Sequence, residues 1–299
     1  MLDIRKLRLL RELAHRGTIA AVAEALSYTP SAVSQQIAAL EREAGRALLT
    51  RTGRRVTLTP AGALLVEHTE VVLADLERAE AALAANETGL SGSIRLGTFP
   101  TALPAIVLPA LLAIGRAEKA LELTVTEVDP AAVPDLLRGG QLDMALVHEY
   151  DNVPSTLGSG IELEPLLDEV VYLASAEPPE VPGDKVIRSH AQSRWIVGNH
   201  GTLCHTMAMR TCQAQGFEPR IAHRIDDFAT VLRLVAAEVG VAVVPQLAAI
   251  DVPAGVVLTA LPIRRRTRIA YRRGSRTQPA FSAVSAELRS AAGRLGVLG

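Results

Sequence analysis

Residues 17–62 read GTIAAVAEALSYTPSAVSQQIAALEREAGRALLTRTGRRVTLTPAG. Thr18 is a capping residue ahead of a short helix that would place Ile19, Val22, Ala23 and Leu26 on one face. Ser27 and Tyr28 interrupt it. Thr29 then caps a further helix, and Pro30 takes its first position, where a missing N–H costs nothing. Val33, Ile37, Leu40 and Ala44 recur at helical spacing and form its inner stripe. Ser31, Gln35, Ala38 and Arg42 lie roughly opposite, with Ser34 to one side. Such an outer face is small and polar near the helix start and basic further on. It suits a helix entering a major groove, where amides and hydroxyls reach base edges. Gly45 ends the helix. Arg51 to Leu58 reads as a hairpin with Thr52-Gly53 at or near its tip. Its arginines Arg51, Arg54 and Arg55 are placed for phosphates or a minor groove. Upstream, Asp3 caps a helix bearing Leu7, Leu10, Leu13 and Ala14, which Gly17 closes. The pattern over residues 1–58 is that of a mainly α winged helix-turn-helix. A plain three-helix bundle would share the periodicity, but the basic wing and the small polar run favour a DNA-binding head.

Charge along the chain supports this division. The net charge is −1, with 31 basic and 32 acidic residues. Residues 1–60 hold ten of the basic residues and five of the acidic ones, so the rest of the chain is net acidic. A basic head on an acidic body implies that only the head meets a polyanion. The opening MLDIRKLRLLRELAHRG lacks the unbroken apolar core of a signal peptide, and no apolar run reaches the roughly 18 residues of a membrane span. A cytoplasmic location without membrane contact is expected. Two cysteines do not make a disulfide framework.

Thr59 and Pro60 open a long helix, with Leu64, Leu65, Val71, Val72, Leu76, Ala79 and Leu83 as its apolar positions and a stop at Asn86 to Gly89. Its apolar side needs a cover, and a second copy is the preferred one, because helix-turn-helix heads pair to read two half-sites. This gives a linker and dimerisation helix over 59–89. Ser91-Gly92-Ser93 is a joint. Beyond it strands at Ile94–Thr98, Leu121–Val128 and Leu142–Val147 alternate with helices at Leu103–Ala117 and Ala131–Arg138, the signature of a helix-covered parallel sheet. A second set has strands at Val170–Ala174, Trp195–Val197, Ile221–Ile225 and Val241–Val244 and helices at Leu203–Gln215 and Phe228–Glu238. Strands at Leu258–Pro262 and Arg268–Arg272 return toward the first set, and Phe281–Leu295 closes the chain as a helix. The fold expected is therefore α/β, with a two-lobed domain over 90–299. Lobe I takes about 90–163 and 267–299, and lobe II about 164–266.

Ligands of such sheets bind outside the carboxyl ends of strands, near helix starts. That rule selects Thr98 and Thr101 after the first strand, Glu127 and Asp129 after the second, His148 after the third, and Asn199, His200 and Thr202 after the strand containing Trp195. No P-loop, G-x-S-x-G, H-E-x-x-H or repeated C-x-x-C occurs, so an enzyme is not expected.

The stretch quoted first resembles the DNA-binding domain of the LysR-type transcriptional regulators. The resemblance rests on A-x-x-L-x-x-x-x-x-A-V-S-x-Q-I-x-x-L-E from Ala23 to Glu41, on G-x-x-L-L-x-R from Gly45 to Arg51, and on L-T-x-A-G from Leu58 to Gly62. The segments LRGGQLDMALV and DDFATVLRLVAAEVGVAVVP resemble the sensing domain of the same family, which is similar to periplasmic binding proteins. By resemblance, Thr29, Pro30, Ser31, Ser34 and Gln35 with Arg51 and Arg54 would contact DNA, although Gln35 stands where many members carry arginine. The resemblance further implies a small-molecule effector between the lobes and no other cofactor. It implies double-stranded DNA as partner, a homodimer or dimer of dimers (a homotetramer), and contact with RNA polymerase. Some family members sense peroxide through paired cysteines, so Cys204 and Cys212 offer a redox alternative. Eight residues along one helix separate the two by about 12 Å, too far for a disulfide unless the helix unravels. A ligand-binding protein without regulatory output is the other alternative, and the basic wing argues against it.

Overall fold

The computed structural model describes residues 1–52, 55–84, 92–154, 160–178 and 185–296. The chain forms two compact units: residues 1–86 with Arg273–Gln278, and the remainder. In the first, α1 (Ile4–Arg16), α2 (Ile19–Ala25) and α3 (Pro30–Ala44) start where their caps predict. The side chains of Asp3, Thr18 and Thr29 accept hydrogen bonds from the N–H groups of Arg5, Ala21 and Ala32. Gly17 and Gly45 end α1 and α3 at φ +72° and +67°, the left-handed region in which a side chain is penalised. Leu10, Val22, Val33 and Leu40 are wholly buried between the helices. Strands β1 (Leu49–Thr52) and β2 (Arg55–Leu58) pair antiparallel as the wing. Glu41 joins α3 to that wing, its Oε1 accepting from the N–H groups of Leu48 at 2.8 Å and Leu49 at 3.2 Å.

Helix α4 (Pro60–Ala84) follows, with the Thr59 hydroxyl accepting from the Gly62 N–H at 3.0 Å. A side chain at Gly62 would place its Cβ 2.1 Å from the Leu48 carbonyl oxygen, so the approach of α4 to the wing requires glycine. The 25 residues of α4 make a rod of roughly 37 Å. Arg11 and His15 of α1 reach Glu70 of α4, and Glu12 takes Arg11 and Arg16. Leu73 and Ala74 are buried, whereas Leu64, Val71, Val72, Leu76 and Leu83 are exposed. The stretch Arg273–Gln278 packs on α4 so closely that a Cβ on Gly274 would lie 2.4 Å from the Ala74 carbonyl oxygen.

The second unit runs β3 (Gly92–Thr98), α5 (Leu108–Ala117), β4 (Leu121–Glu127), α6 (Val133–Arg138), β5 (Met144–Tyr150), β6 (Ile161–Ser175), α7 (Lys185–Ser189), β7 (Arg194–Val197), α8 (Leu203–Ala214), β8 (Arg220–Arg224), α9 (Phe228–Ala236), β9 (Ala242–Pro245), β10 (Val257–Arg272) and α10 (Pro279–Gly296). A six-stranded sheet has the order β4-β3-β5-β10-β6-β9, and β7 and β8 pair beside it. β3, β4 and β5 are mutually parallel where they pair, as their alternation with helices requires. Two strands are longer than the sequence pattern suggests. β10 is one strand of 16 residues where two were expected, and β6 has 15 residues where only Val170–Ala174 was expected. Both pass through two hydrophobic cores. Ile269 and Tyr271 of β10 pack in one core with Leu96, Ile106, Phe281 and Leu288. Leu261 and Ile263 pack in the other with Val171, Trp195 and Met207. The first core belongs to lobe I and the second to lobe II, and Arg265 and Thr267 fall between them along β10.

Candidate functional site

On the head, Thr29, Pro30, Ser31 and Gln35 are exposed, and Ser34 is half-buried. The Thr29 and Ser31 hydroxyls lie 3.0 Å apart, so the first turn of α3 presents a hydroxyl cluster beside the Gln35 amide. Val33, Ile37 and Leu40 hold the opposite face in the core. Arg51 belongs to β1 by its backbone, while its side chain and all of Arg54 lie outside the described residues.

The second unit contains a cleft of about 270 Å³ between its lobes. Lobe I contributes Phe99, Thr101, Glu127, Asp129 and His148, and lobe II contributes Thr202, Leu203, Cys204, Asp226 and Phe228, with Arg265 at the junction. Sheet register assembles its floor. Arg265 of β10 stands opposite Tyr150 of β5 and Glu169 of β6, and Thr267 stands opposite His148. Arg265 is 1% exposed. It donates from Nε and Nη2 to the two Glu169 oxygens at 2.8 and 2.7 Å, and from Nη2 to the Thr101 hydroxyl at 3.1 Å. Glu169 also accepts from the Thr267 hydroxyl and the Leu247 N–H, both at 3.0 Å. Every strong acceptor of this pair is thus engaged, the condition under which a buried ion pair is tolerated. Burial presses against the arginine charge, but the adjoining Glu169 carboxylate outweighs it and holds the guanidinium protonated.

Above this floor, Phe99 and Tyr150 flank the His148 ring edge-on, with centroids at 4.6 and 5.3 Å. Both imidazole nitrogens are buried without a hydrogen-bond partner among the described residues. Burial, reinforced by the Arg265 charge, pushes the His148 pKa well below its usual range, so the ring is neutral. The Tyr150 hydroxyl and the Cys204 sulfur lie 3.4 Å apart. Burial pushes the Cys204 thiol up, and pushes that of the fully buried Cys212 up to about 12. Neither thiol is set up as a thiolate. Among the described residues, no group of three His, Cys, Asp or Glu side chains could hold a metal ion.

Of the residues selected by the strand-end rule, Thr101, Glu127, Asp129, His148 and Thr202 line the cleft, and Thr98, Asn199 and His200 do not. Thr98 is wholly buried, its hydroxyl 3.4 Å from the Phe99 carbonyl oxygen. Asn199 is exposed and holds Asp226 through its N–H and its Nδ2 at 2.8 and 2.6 Å, so it orients a lining carboxylate without lining the cleft itself. His200 is exposed and packs against His205, with ring centroids at 4.4 Å and the planes tilted by 58°. Arg265 was missed. The signal was available in the alternation Ile263-Arg264-Arg265-Arg266-Thr267, which places Arg265 on the inward face once β10 is read as unbroken.

Residues 4–63 match the family described as "Bacterial regulatory helix-turn-helix protein, lysR family", and residues 87–293 match the "LysR substrate binding domain". The nitrogen assimilation regulatory protein nac of Klebsiella aerogenes is 30% identical over 252 residues, covering 83% of this chain and 80% of that protein. A "Probable hydrogen peroxide-inducible genes activator" of Mycobacterium avium is 30% identical over 245 residues, covering 81% of this chain and 77% of its own. Among solved structures, a cysteine mutant of Corynebacterium glutamicum OxyR superposes with a TM-score of 0.59 at 24% identity, covering all of this chain and 94% of that one. Full-length CbnR complexed with its target DNA gives 0.53 at 19% identity, covering 97% of this chain and all of that one. A winged helix-turn-helix followed by a two-lobed α/β domain, matched to both family descriptions across almost the whole length, makes this chain a member of the LysR family of DNA-binding transcriptional regulators.

Proposed function

We propose that the regulator is controlled by a small molecule that binds in the cleft between the lobes and alters how two copies of the head engage DNA. The observation that carries this reading is His148, a buried imidazole whose two nitrogens lack partners among the described residues although it lines the cleft. An orphaned buried polar group is costly, and a ligand that pairs with it recovers that cost. Thr101, Thr202 and Arg265 supply further polar contacts, and Phe99, Leu203 and Phe228 supply an apolar lining. On the head, Thr29, Pro30, Ser31, Ser34 and Gln35 meet the major groove, and Arg51 and Arg54 meet phosphates beside it. The exposed Leu64, Val71, Val72, Leu76 and Leu83 on α4 give two copies an apolar stripe to share, consistent with a homodimer or a dimer of dimers. No helix among the described residues is long and apolar enough to cross a membrane. The protein is accordingly proposed to act in the cytoplasm, in reach of RNA polymerase, with no cofactor besides the effector.

The test is a metabolite screen by thermal shift, followed by calorimetry and footprinting with Thr101→Val, which removes a hydroxyl at nearly constant volume. Weaker effector binding with unchanged operator affinity in the ligand-free protein is expected. An effector that binds Thr101→Val and His148→Phe like the parent places the site elsewhere. The mycobacterial relative's name favours a peroxide-responsive reading, for which Cys204 and Cys212 are the candidates. Their raised thiol pKa values, the burial of Cys212 and their separation along α8 oppose it. Footprints that agree before and after peroxide treatment are expected.

A further inference from the structure

The ionic floor of the cleft is electrically spent. Arg265 is the one permanent cation among the described lining residues, and Glu169 matches its charge. His148 is neutral. Glu127, Asp129 and Asp226 remain, and none makes an ion pair among the described residues. Asp129 comes from lobe I and Asp226 from lobe II, yet both act on the same atom. The Cys204 thiol is pushed up chiefly by burial and additionally by these two carboxylates. Carboxylates alone would make only a solvated rim. His148 adds the independent observation: it is 6% exposed, it lines the cleft, and its ring offers one donor and one acceptor that no described residue uses.

We propose that the cleft takes a small organic cation, a protonated amine on an apolar body. Its ammonium group sits between Asp129 and Asp226, and its body rests against Phe99, Leu203 and Phe228. The proposal rests on the reading of the cleft as the effector site. The unused acceptor of His148 receives an N–H of the ligand, and aromatic walls favour a cation. A free carboxylate would instead face three like charges, and Arg265, with only its Nη1 group outside the bonds to Glu169 and Thr101, already has its charge matched by Glu169.

Cys204 lies in the cleft and reports its potential whatever the effector is. In full-length protein carrying Cys212→Ala, Cys204 is the single thiol. Its rate with a trimethylammonium methanethiosulfonate is compared with that for a sulfonate analogue of similar size, each divided by the rate of a free thiol. A preference for the cation of roughly tenfold is expected from a local potential of several kT. It should collapse toward unity in Asp129→Asn with Asp226→Asn. A ratio of one or below overturns the proposal. Were Cys212→Ala not to fold, mass-spectrometric mapping of Cys204 in the unaltered chain gives the same ratio, since Cys212 is fully buried.

Calorimetry with matched probes supplies the second arm: phenethylamine, hydrocinnamate and hydrocinnamyl alcohol, with butylamine and butyrate. Binding of an amine and not of its carboxylate counterpart, weakened about tenfold by Asp129→Asn, is expected. Binding of a carboxylate, or of no amine, overturns the proposal. A carboxylate whose binding is lost in His148→Phe leaves the cleft as effector site and removes only the cation. An amine whose binding ignores both His148→Phe and Thr101→Val removes the cleft reading itself.

Discussion

His148 is a costly residue for the folded protein. Each of its unpartnered nitrogens costs about 1–3 kcal/mol by burial without a hydrogen bond. Phenylalanine would keep the edge-on contacts with Phe99 and Tyr150 and remove both polar atoms. His148→Phe should therefore raise the thermal midpoint by several degrees while abolishing the effector response, a trade of function for stability. A lowered midpoint would show that the imidazole is satisfied. The same residue sets a pH dependence. Its folded pKa lies well below 6.5, whereas the unfolded chain takes up the proton near that value. Below about pH 6.5 the unfolded state therefore binds more protons, and stability falls as pH drops. The limiting slope for one group is about 1.4 kcal/mol per pH unit. His190, depressed by burial, contributes with the same sign. Urea unfolding between about pH 5 and 8 should show a shallower loss in His148→Phe than in the parent.

Among the elements, α3 was readable because everything that shapes it is local. Thr29, Pro30, Gly45 and the stripe Val33, Ile37 and Leu40 all lie within one stretch, and the observed helix obeys them. Its exposed polar side carries a prediction. Gln35→Ala should weaken binding to the preferred operator by about 1–3 kcal/mol and binding to random DNA much less, because an amide that reads a base edge serves specificity. Fluorescence anisotropy on both duplexes decides it, and equal losses would remove Gln35 from base reading. β10 was readable only in pieces. Its polar middle, Arg264 to Thr267, resembles a loop until its partners are known, and the carboxylate that makes Arg265 tolerable inside lies 96 residues earlier on β6. The strand-end rule likewise located the right loops for the cleft, but it cannot say which way a side chain turns. Thr98 turns inward, and Asn199 is spent on Asp226. Information held in non-local pairing was absent from the pattern, and that is where the missed residue lay.

At the scale of the molecule, charge is partitioned along the chain, with a basic head on an acidic remainder. Operator affinity should fall with salt by roughly 0.9 log unit per log unit of salt for each phosphate neutralised, giving a slope of several units for a dimer. The acidic remainder should add little. A truncation ending after α4 that still pairs should show nearly the same slope, and a flat response in the whole protein would sink the assignment of phosphate contacts to the wing.

One covalent path runs from the cleft to the linker helix. β10 carries Arg265 into the cleft and ends at Arg272, and the next residues, Arg273–Gln278, belong to the unit of the DNA-reading head, with Gly274 pressed on the backbone of α4. An extended strand hardly stretches, so it behaves as a tie-rod: a displacement imposed at Arg265 is carried along seven strand residues, at roughly 3.3 Å each, to Arg272, two residues before Gly274. The linker helix is thus gripped at two places, by its own chain and by this returning clamp. Gly274→Ala should loosen the clamp, since the added Cβ cannot fit beside the Ala74 carbonyl and φ is +97°. Effector affinity and ligand-free operator affinity should stay near those of the parent, while the coupling between them, ordinarily about 1–3 kcal/mol, shrinks toward zero. Operator titrations with and without saturating effector measure that difference directly, and undiminished coupling would mean that force reaches the head through α4 alone.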